Sequence, residues 1–576
     1  MKTERSPDMA TRPGPRLREP ATVMRLARMG SFHQTRLSFM RTLLRRIKRE
    51  NWTFDRPIFD MDPAGVGVAV YAAHGPDQTY SLICFGHDLP DDQRSDRVIA
   101  HAWDATFALF KGVPEAHDIE RLQRNVPKQE AGRVSQNEVC LSRANKSVRL
   151  FEHVASCLAA GQQPDQEKID EVGYLLRTTA VYGSGKFGAA DLPEGTLPFQ
   201  TEMLTVFLIR AYALDLVEHV ASARAPHMAV KLEPNVRRRF GVGNSTGLGM
   251  APFIINHPVL LNNWIVARET ALSRVRSLVA ASETDVIAFK TFLTRAMLNV
   301  DNWRSKHPIQ TEKIAALKAD LEALKRHLAD GALNVRYPWD KLHKWAETNL
   351  CLEGQEQLAA LMLEPYGPLV DDLTETMGAD EANSFNIDGS MDIAAAKQLL
   401  QTIYGWARQC DWSRPEQTAR VWYVSEEKLE PRLGERAEEP IETYEQPLAP
   451  GRDAMGMLDA MKGWSAEDTL AEFLLQHPEH RHTARRAQIA ARYPYAEIRD
   501  NTIAAQMLPI DLLRCKLSFF GATHFDPRSD RWVRITMFQN APFPHEVAQD
   551  AEDDWSYPPM TQPEPPTAAH QPICTH

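Results

Sequence analysis

The chain has 576 residues, a formal net charge of −10, 43% hydrophobic residues and 25% charged residues. That balance is of a folded globular protein, and it excludes a dedicated nucleic-acid binder, whose affinity rests on a basic surface. Seven scattered cysteines include no Cys-x-x-Cys pair, so neither a disulfide scaffold nor a metal site is expected, and the cytoplasm is the expected location.

Residues 1–20 are Pro-bearing and expected to be disordered, and residues 21–50 read as a basic helical arm, with the helix over 22–49. Residues 1–50 carry thirteen Lys/Arg against four acids, and an imperfect apolar stripe runs through Met24, Phe32, Leu37, Leu43 and Ile47. Packing against the body or a second subunit is expected of it, and the chain is expected to be a homo-oligomer through this arm. The main body, 51–425, opens on a hairpin, Gly65–Ala73 and Gln78–Phe85, turned by "HGPD". Helical apolar spacing then predicts helices near 96–111, 142–160, 165–181, 199–224, 251–281, 284–304, 310–329, 339–364 and 391–410. The stretch 204–217, the most apolar, is broken by Arg210 and Asp215, so no membrane span is expected.

Residues 426–453 form an acidic, Pro-containing linker, 454–544 an α+β segment with strands at 515–521 and 531–538, and 545–576 an acidic, Pro-rich tail expected to be disordered. The fold class expected is mainly α: a large helical body with a small antiparallel β-sheet formed from N- and C-terminal segments. "CFGHDLPDDQRSDRVI" (84–99) and "FFGATHFDPRSDRWVRI" (519–535) echo each other. If they are related units, His87 with Asp88 and His524 with Asp526 would lie on neighbouring strands.

Two glycine-rich stretches mark the candidate site: "YGSGKFG" (182–188) and "GVGNSTGLG" (241–249). Glycine lets main-chain N–H groups approach a ligand, and a helix starting after such a loop offers unpaired amides to an anion. Neither stretch has the spacing of a Walker loop or a dinucleotide fingerprint, and no βαβ unit follows the second. Lys186, Arg237, Arg238 and Arg239 are the expected anion clamp, with Gly243, Asn244, Ser245, Thr246 and Asn256 as further binding residues. Between the loops, 201–223 reads as a helix carrying Glu202, Thr205, Tyr212, Asp215 and His219 near one face. Tyr182, Glu202, His219 and His257 are the candidate proton-transfer groups.

"NSTGLGMAPFIINHP" (244–258) is similar to the "SSxMPxKxNP" segment of the fumarase/aspartase lyases at Met250, Pro252, Asn256 and Pro258. It departs from that pattern in spacing and in having no lysine, and over about fifteen residues it assigns no family. The function expected is a metabolic enzyme acting on a small carboxylate- or phosphate-bearing substrate by acid–base chemistry, as in a lyase. An oxidoreductase with a nucleotide or haem-type cofactor, and a non-catalytic ligand-binding or assembly subunit, are the alternatives. The cofactor is not legible.

Overall fold

In the computed structural model the described residues are 17–25, 28–32, 34–90, 102–128, 135–182, 200–244, 258–301, 303, 308–377, 385–413, 422–424, 446–448, 450–499, 514–521, 524–526 and 534–547. Strands β1 (Thr53–Met61), β2 (Gly67–His74), β3 (Thr79–Gly86), β4 (Ala105–Lys111), β5 (Glu138–Lys146), β6 (Tyr174–Tyr182) and β7 (Gly241–Asn244) run through the first half. A short pair follows, β8 (Trp422–Val424) with β9 (Gln446–Leu448), and then β10 (His524–Asp526) and β11 (Arg534–Met537). Nine of these make one sheet in the order β1-β2-β3-β4-β5-β6-β7-β11-β10. Neighbours are antiparallel except β6 and β7, which are parallel.

This overturns the expectation of a small antiparallel sheet on a helical body: the sheet is large, mixed and built mostly from residues 53–244. The reason is physical. Both faces of β4, β5 and much of β6 are buried, so their side chains need not alternate apolar with polar. A short apolar run of that kind does not distinguish a core strand from a buried helix. "ATFALFK" and "YLLRTTAVY" therefore read as helix and fold as strands. The opposite error falls at "KLSFF", expected as a strand and folded as a π-helical turn, Lys516–Phe520.

One face of the sheet is covered by the helix Gln200–Arg224, whose Tyr212 packs edge-on against Phe107 and Tyr71. The other face is covered at one end by the helix Ala116–Asn125, where Leu122 and Val126 join Val70, Ile83, Phe85, Ala108, Phe110 and Leu141. The long helices Pro258–Arg276, Glu283–Asp301 and Pro308–Ala329 extend the main core beyond the sheet. A separate core unites the helices Ile393–Tyr404, Pro450–Ala460, Leu470–Gln476 and Arg481–Arg492. The expected boundary between a body ending at 425 and a segment starting at 454 thus cuts through one packed unit, because Leu400 and Tyr404 share their core with Met457 and Phe473.

The N-terminal arm is not one helix. It forms a turn at Pro20–Val23 and a helix at Phe39–Arg49, with an irregular stretch between. Its apolar residues Met24, Phe32, Leu37, Leu43 and Ile47 lie in the core of the same chain. Its arginines are paired there: Arg18 with Glu269 and Glu356, Arg36 with Asp371, and Arg41 with Glu364 at 2.9 Å. The groups expected to dock a second subunit are thus engaged within the chain. Among the described residues no helix is long and apolar enough to cross a membrane.

Candidate functional site

From here the elements that frame the site are β6, β7 and three helices: α1 (Gln200–Arg224), α2 (Pro234–Arg238) and α3 (Pro258–Arg276). The chain leaves β6 at Tyr182, returns along α1, turns through α2 and enters β7 parallel to β6, pairing Tyr174 with Gly241, Arg177 with Gly243 and Thr178 with Asn244. This is a βαβ unit, and it lies between the two glycine-rich stretches rather than after the second, where none was expected. Its strands were hidden because β7 has only four residues, GVGN, and β6 reads as helix.

The unit sets the geometry. Both glycine-rich stretches begin where parallel neighbours end, 183–199 after β6 and 245–257 after β7, and each leads to a helix, α1 or α3. In sheets with parallel strands, ligands seat outside the carboxyl ends, against loops and helix N-termini. The Thr178 hydroxyl donates to the Gly243 carbonyl at 3.1 Å and ties the strands just below the second exit. Gly243 is required by close approach: a Cβ there would lie 2.6 Å from the Tyr174 ring.

The arginine clamp is not assembled at this edge. Arg237, Arg238 and Arg239 precede β7 and so lie at its amino end, whereas the second loop leaves its carboxyl end. All three face acids: Arg237 lies 3.3 Å from Glu218 and 3.5 Å from Asp215, Arg238 3.1 Å from Glu546, and Arg239 2.6 Å from Asp170. The run RRR fixes the turn into β7 through ion pairs that one sequence does not reveal. Burial pushes the Glu218 and Asp170 carboxyl pKa values up, against the pull of Arg237 and Arg239 respectively.

The helical face carrying the candidate acids and bases is likewise divided along α1. Glu202 is buried in the first turn and accepts a hydrogen bond from the Thr201 hydroxyl at 3.1 Å. Tyr212 is in the core. Asp215 accepts from Arg56 at 2.7 Å and from the Tyr71 hydroxyl at 2.9 Å. His219, seventeen residues beyond Glu202 and so about 25 Å away along the axis, bonds through Nε2 to the Asp62 carbonyl at 2.8 Å. Helical periodicity put these groups on one stripe, yet their spread along the axis keeps Glu202 and His219 apart.

Gly243 and Asn244 close β7, at the proposed edge. Tyr182 closes β6, and its side chain lies outside the described set. Lys186, Ser245, Thr246, Asn256 and His257 lie outside the described residues. His87 follows β3 and His524 is on β10; five strands separate them, about 29 Å along the sheet, so the echoed segments are not neighbours.

Sequence reasoning missed three polar groups inside strands. Arg143 and Asn145 on β5 and Arg177 on β6 are all buried, and Asn145 pairs directly with Arg177 across the strands. The available signal was an arginine in the middle of each apolar run, "CLSRANK" and "YLLRTTA". It was lost with the strands. Among the described residues no group of three or more His, Cys, Asp or Glu is placed to hold a metal ion. No protein family, curated protein or solved structure was found to match the chain.

Proposed function

We propose that the chain binds a small carboxylate- or phosphate-bearing molecule at the edge where β6 and β7 end, and acts on it as a metabolic enzyme through acid–base chemistry of the lyase type. The observation that carries this reading is the parallel register Thr178 with Asn244, which roots the two glycine-rich loops on adjacent strands. In this reading main-chain amides and the amino ends of α1 and α3 replace the arginines as the anion-binding groups. Glu202 is the proposed base. It would take a proton from carbon next to the substrate carboxylate; the C–H electron pair forms the new double bond as the leaving group departs with its own pair, protonated by Lys186, Tyr182 or His257. The cytoplasm is the proposed compartment, a reducing one that suits a chain with no disulfide among its described cysteines.

The test is proton exchange. Purified protein in D2O is incubated with a panel of hydroxy- and amino-dicarboxylates and sugar phosphates, and C–H signals are followed by NMR. Exchange or elimination with one class, reduced about a hundredfold or more in Glu202→Gln, supports the reading; no exchange with any of them removes the enzymatic part. A non-catalytic anion sensor is the second reading, favoured by the distance between Glu202 and His219. It would bind without exchange.

A further inference from the structure

The helix Leu352–Leu361 has a sequence suited to a surface, LEGQEQLAAL, and yet Glu353, Gln355, Glu356 and Gln357 are all buried. Part of what covers them is the N-terminal arm. Arg28 donates to Gln355 and to Glu356, each at 3.2 Å, and the Phe32 main-chain N–H donates to Gln357 Oε1 at 2.9 Å. Arg18 forks between Glu356 and Glu269 of α3 through four hydrogen bonds of 2.7–3.0 Å. Apolar residues of similar volume often fill a core at least as stably as buried ion pairs do. A run of glutamates and glutamines is instead the composition of a face that water reaches.

The covering stretch is held as a bound peptide is held. Its described residues, 17–25, 28–32 and 34–38, include one helical turn, Pro20–Val23, and belong to none of the described strands. Several of its main-chain groups are met by side chains from elsewhere in the chain. Asn299 Nδ2 donates to the Phe32 carbonyl at 3.4 Å, Trp264 Nε1 to the Leu37 carbonyl at 3.3 Å, and the Tyr495 hydroxyl to the Arg18 carbonyl at 2.7 Å. The C-terminal segment 514–521 closes on the same stretch. Arg514 donates to the Gly30 carbonyl at 3.3 Å, the Cys515 thiol to the Met29 carbonyl at 3.6 Å, and the Thr35 hydroxyl to the Ser518 carbonyl at 3.0 Å. Both pieces rest on α3, where Phe519 packs edge-on against Trp264.

We propose that the described residues of 17–38 together with 514–521 form a clasp, which opens and closes as one unit over α3 and the helix Leu352–Leu361 while the sheet stays folded. Opening wets Glu269, Gln355, Glu356 and Gln357 and frees Arg18 and Arg28; closing restores the ion pairs. Because the two segments are bonded to each other, neither leaves while the other stays. Proteins open below the cost of global unfolding in contiguous packed units of this kind. Ile83, Phe85, Ala108 and Leu141 of the sheet belong to a core distinct from that of the clasp, which keeps the two motions separate. The clasp is independent of the reaction proposed at the β6–β7 edge.

The test is hydrogen–deuterium exchange of the full chain in rising, sub-denaturing urea. Peptides covering 17–38 and 514–521 are expected to exchange at one shared free energy, lower and less urea-dependent than that of peptides covering β3 to β5. Arg18→Gln is expected to speed exchange in 514–521 about tenfold or more, although it lies on the other segment, and Ser518→Ala to speed exchange in 17–38 about fivefold or more. Ile83→Val is expected to speed exchange in β3 to β5 about threefold or more and to leave the clasp unchanged. Where Arg18→Gln does not fold, as judged by circular dichroism, Ser518→Ala and the wild-type urea series decide. Exchange of clasp and strands at the same free energy and urea dependence overturns the proposal, and so does separate opening of the two segments.

Discussion

Arg210 is buried within α1 and donates to three main-chain carbonyls: Phe240 at 2.6 Å, Ala541 at 2.7 Å and Arg238 at 3.1 Å. Phe543 lies 4.1 Å from the guanidinium carbon. Burial pushes the Arg210 pKa down to about 9, since the interior disfavours the charge. Arg210→Ala therefore removes the Arg210 donor from the buried Phe240 and Ala541 carbonyls, while Arg238 keeps the Asn540 N–H, and is expected to cost on the order of 3–5 kcal/mol. Urea unfolding measures this, and a loss below about 1 kcal/mol would contradict it. In the sequence, Arg210 only interrupts an apolar run, and the triple arginine drew attention instead. Charge is visible in a sequence; its partner is not.

Glu356 gives a second residue-scale expectation. Burial would raise its pKa, but the charges of Arg18 and Arg268 and the Arg18 hydrogen bonds outweigh that and hold it at about 2, against an ordinary value of 4.5. A carboxyl lowered on folding contributes stability above its unfolded pKa and loses it as pH falls through the folded one. That contribution is on the order of 3 kcal/mol at neutral pH and disappears from about pH 4.5 to about pH 2. Glu356→Gln is expected to lower stability at neutral pH and to flatten the acid side of the stability profile. An unchanged acid slope would contradict the assignment.

Among the elements, the segment between the arm's two helical pieces is tightly fixed by shape. Gly30 has φ +81°, and a Cβ there would sit 2.4 Å from the Arg514 carbonyl oxygen. The buried Ser31 and Ser518 hydroxyls lie 2.9 Å apart beside it. Gly30→Ala combines strain with a backbone clash and is expected to cost more than about 2 kcal/mol, read as a lowered thermal midpoint. Retained wild-type stability would show that the arm does not hold the π-helical turn in place. The helices Glu283–Asp301 and Pro308–Ala329 were legible because one face of each meets solvent and preserves the 3.6-residue period. β4 to β7 were illegible because burial on both faces removes the alternation that marks a strand. The loop roots could be found from glycine alone, but their adjacency depends on the parallel register, a long-range pairing that no local pattern encodes.

For the molecule as a whole, the basic arm was expected to pack against the body or a second subunit, and its arginines close onto carboxylates of the same chain. Deleting residues 1–38 is thus expected to lower the melting temperature steeply without a stepwise fall in the mass of the native species, as read by light scattering after gel filtration. A clean drop from dimer to stable monomer would restore the docking role. At the sheet edge, the stretches that follow β6 and β7 on adjacent parallel strands are proposed to seat an anion. Hydrogen–deuterium exchange with and without millimolar phosphate or succinate tests it most directly. Joint protection of peptides covering 183–199 and 245–257 is the predicted result. Protection of neither, or of only one while the other exchanges freely, would contradict a shared site.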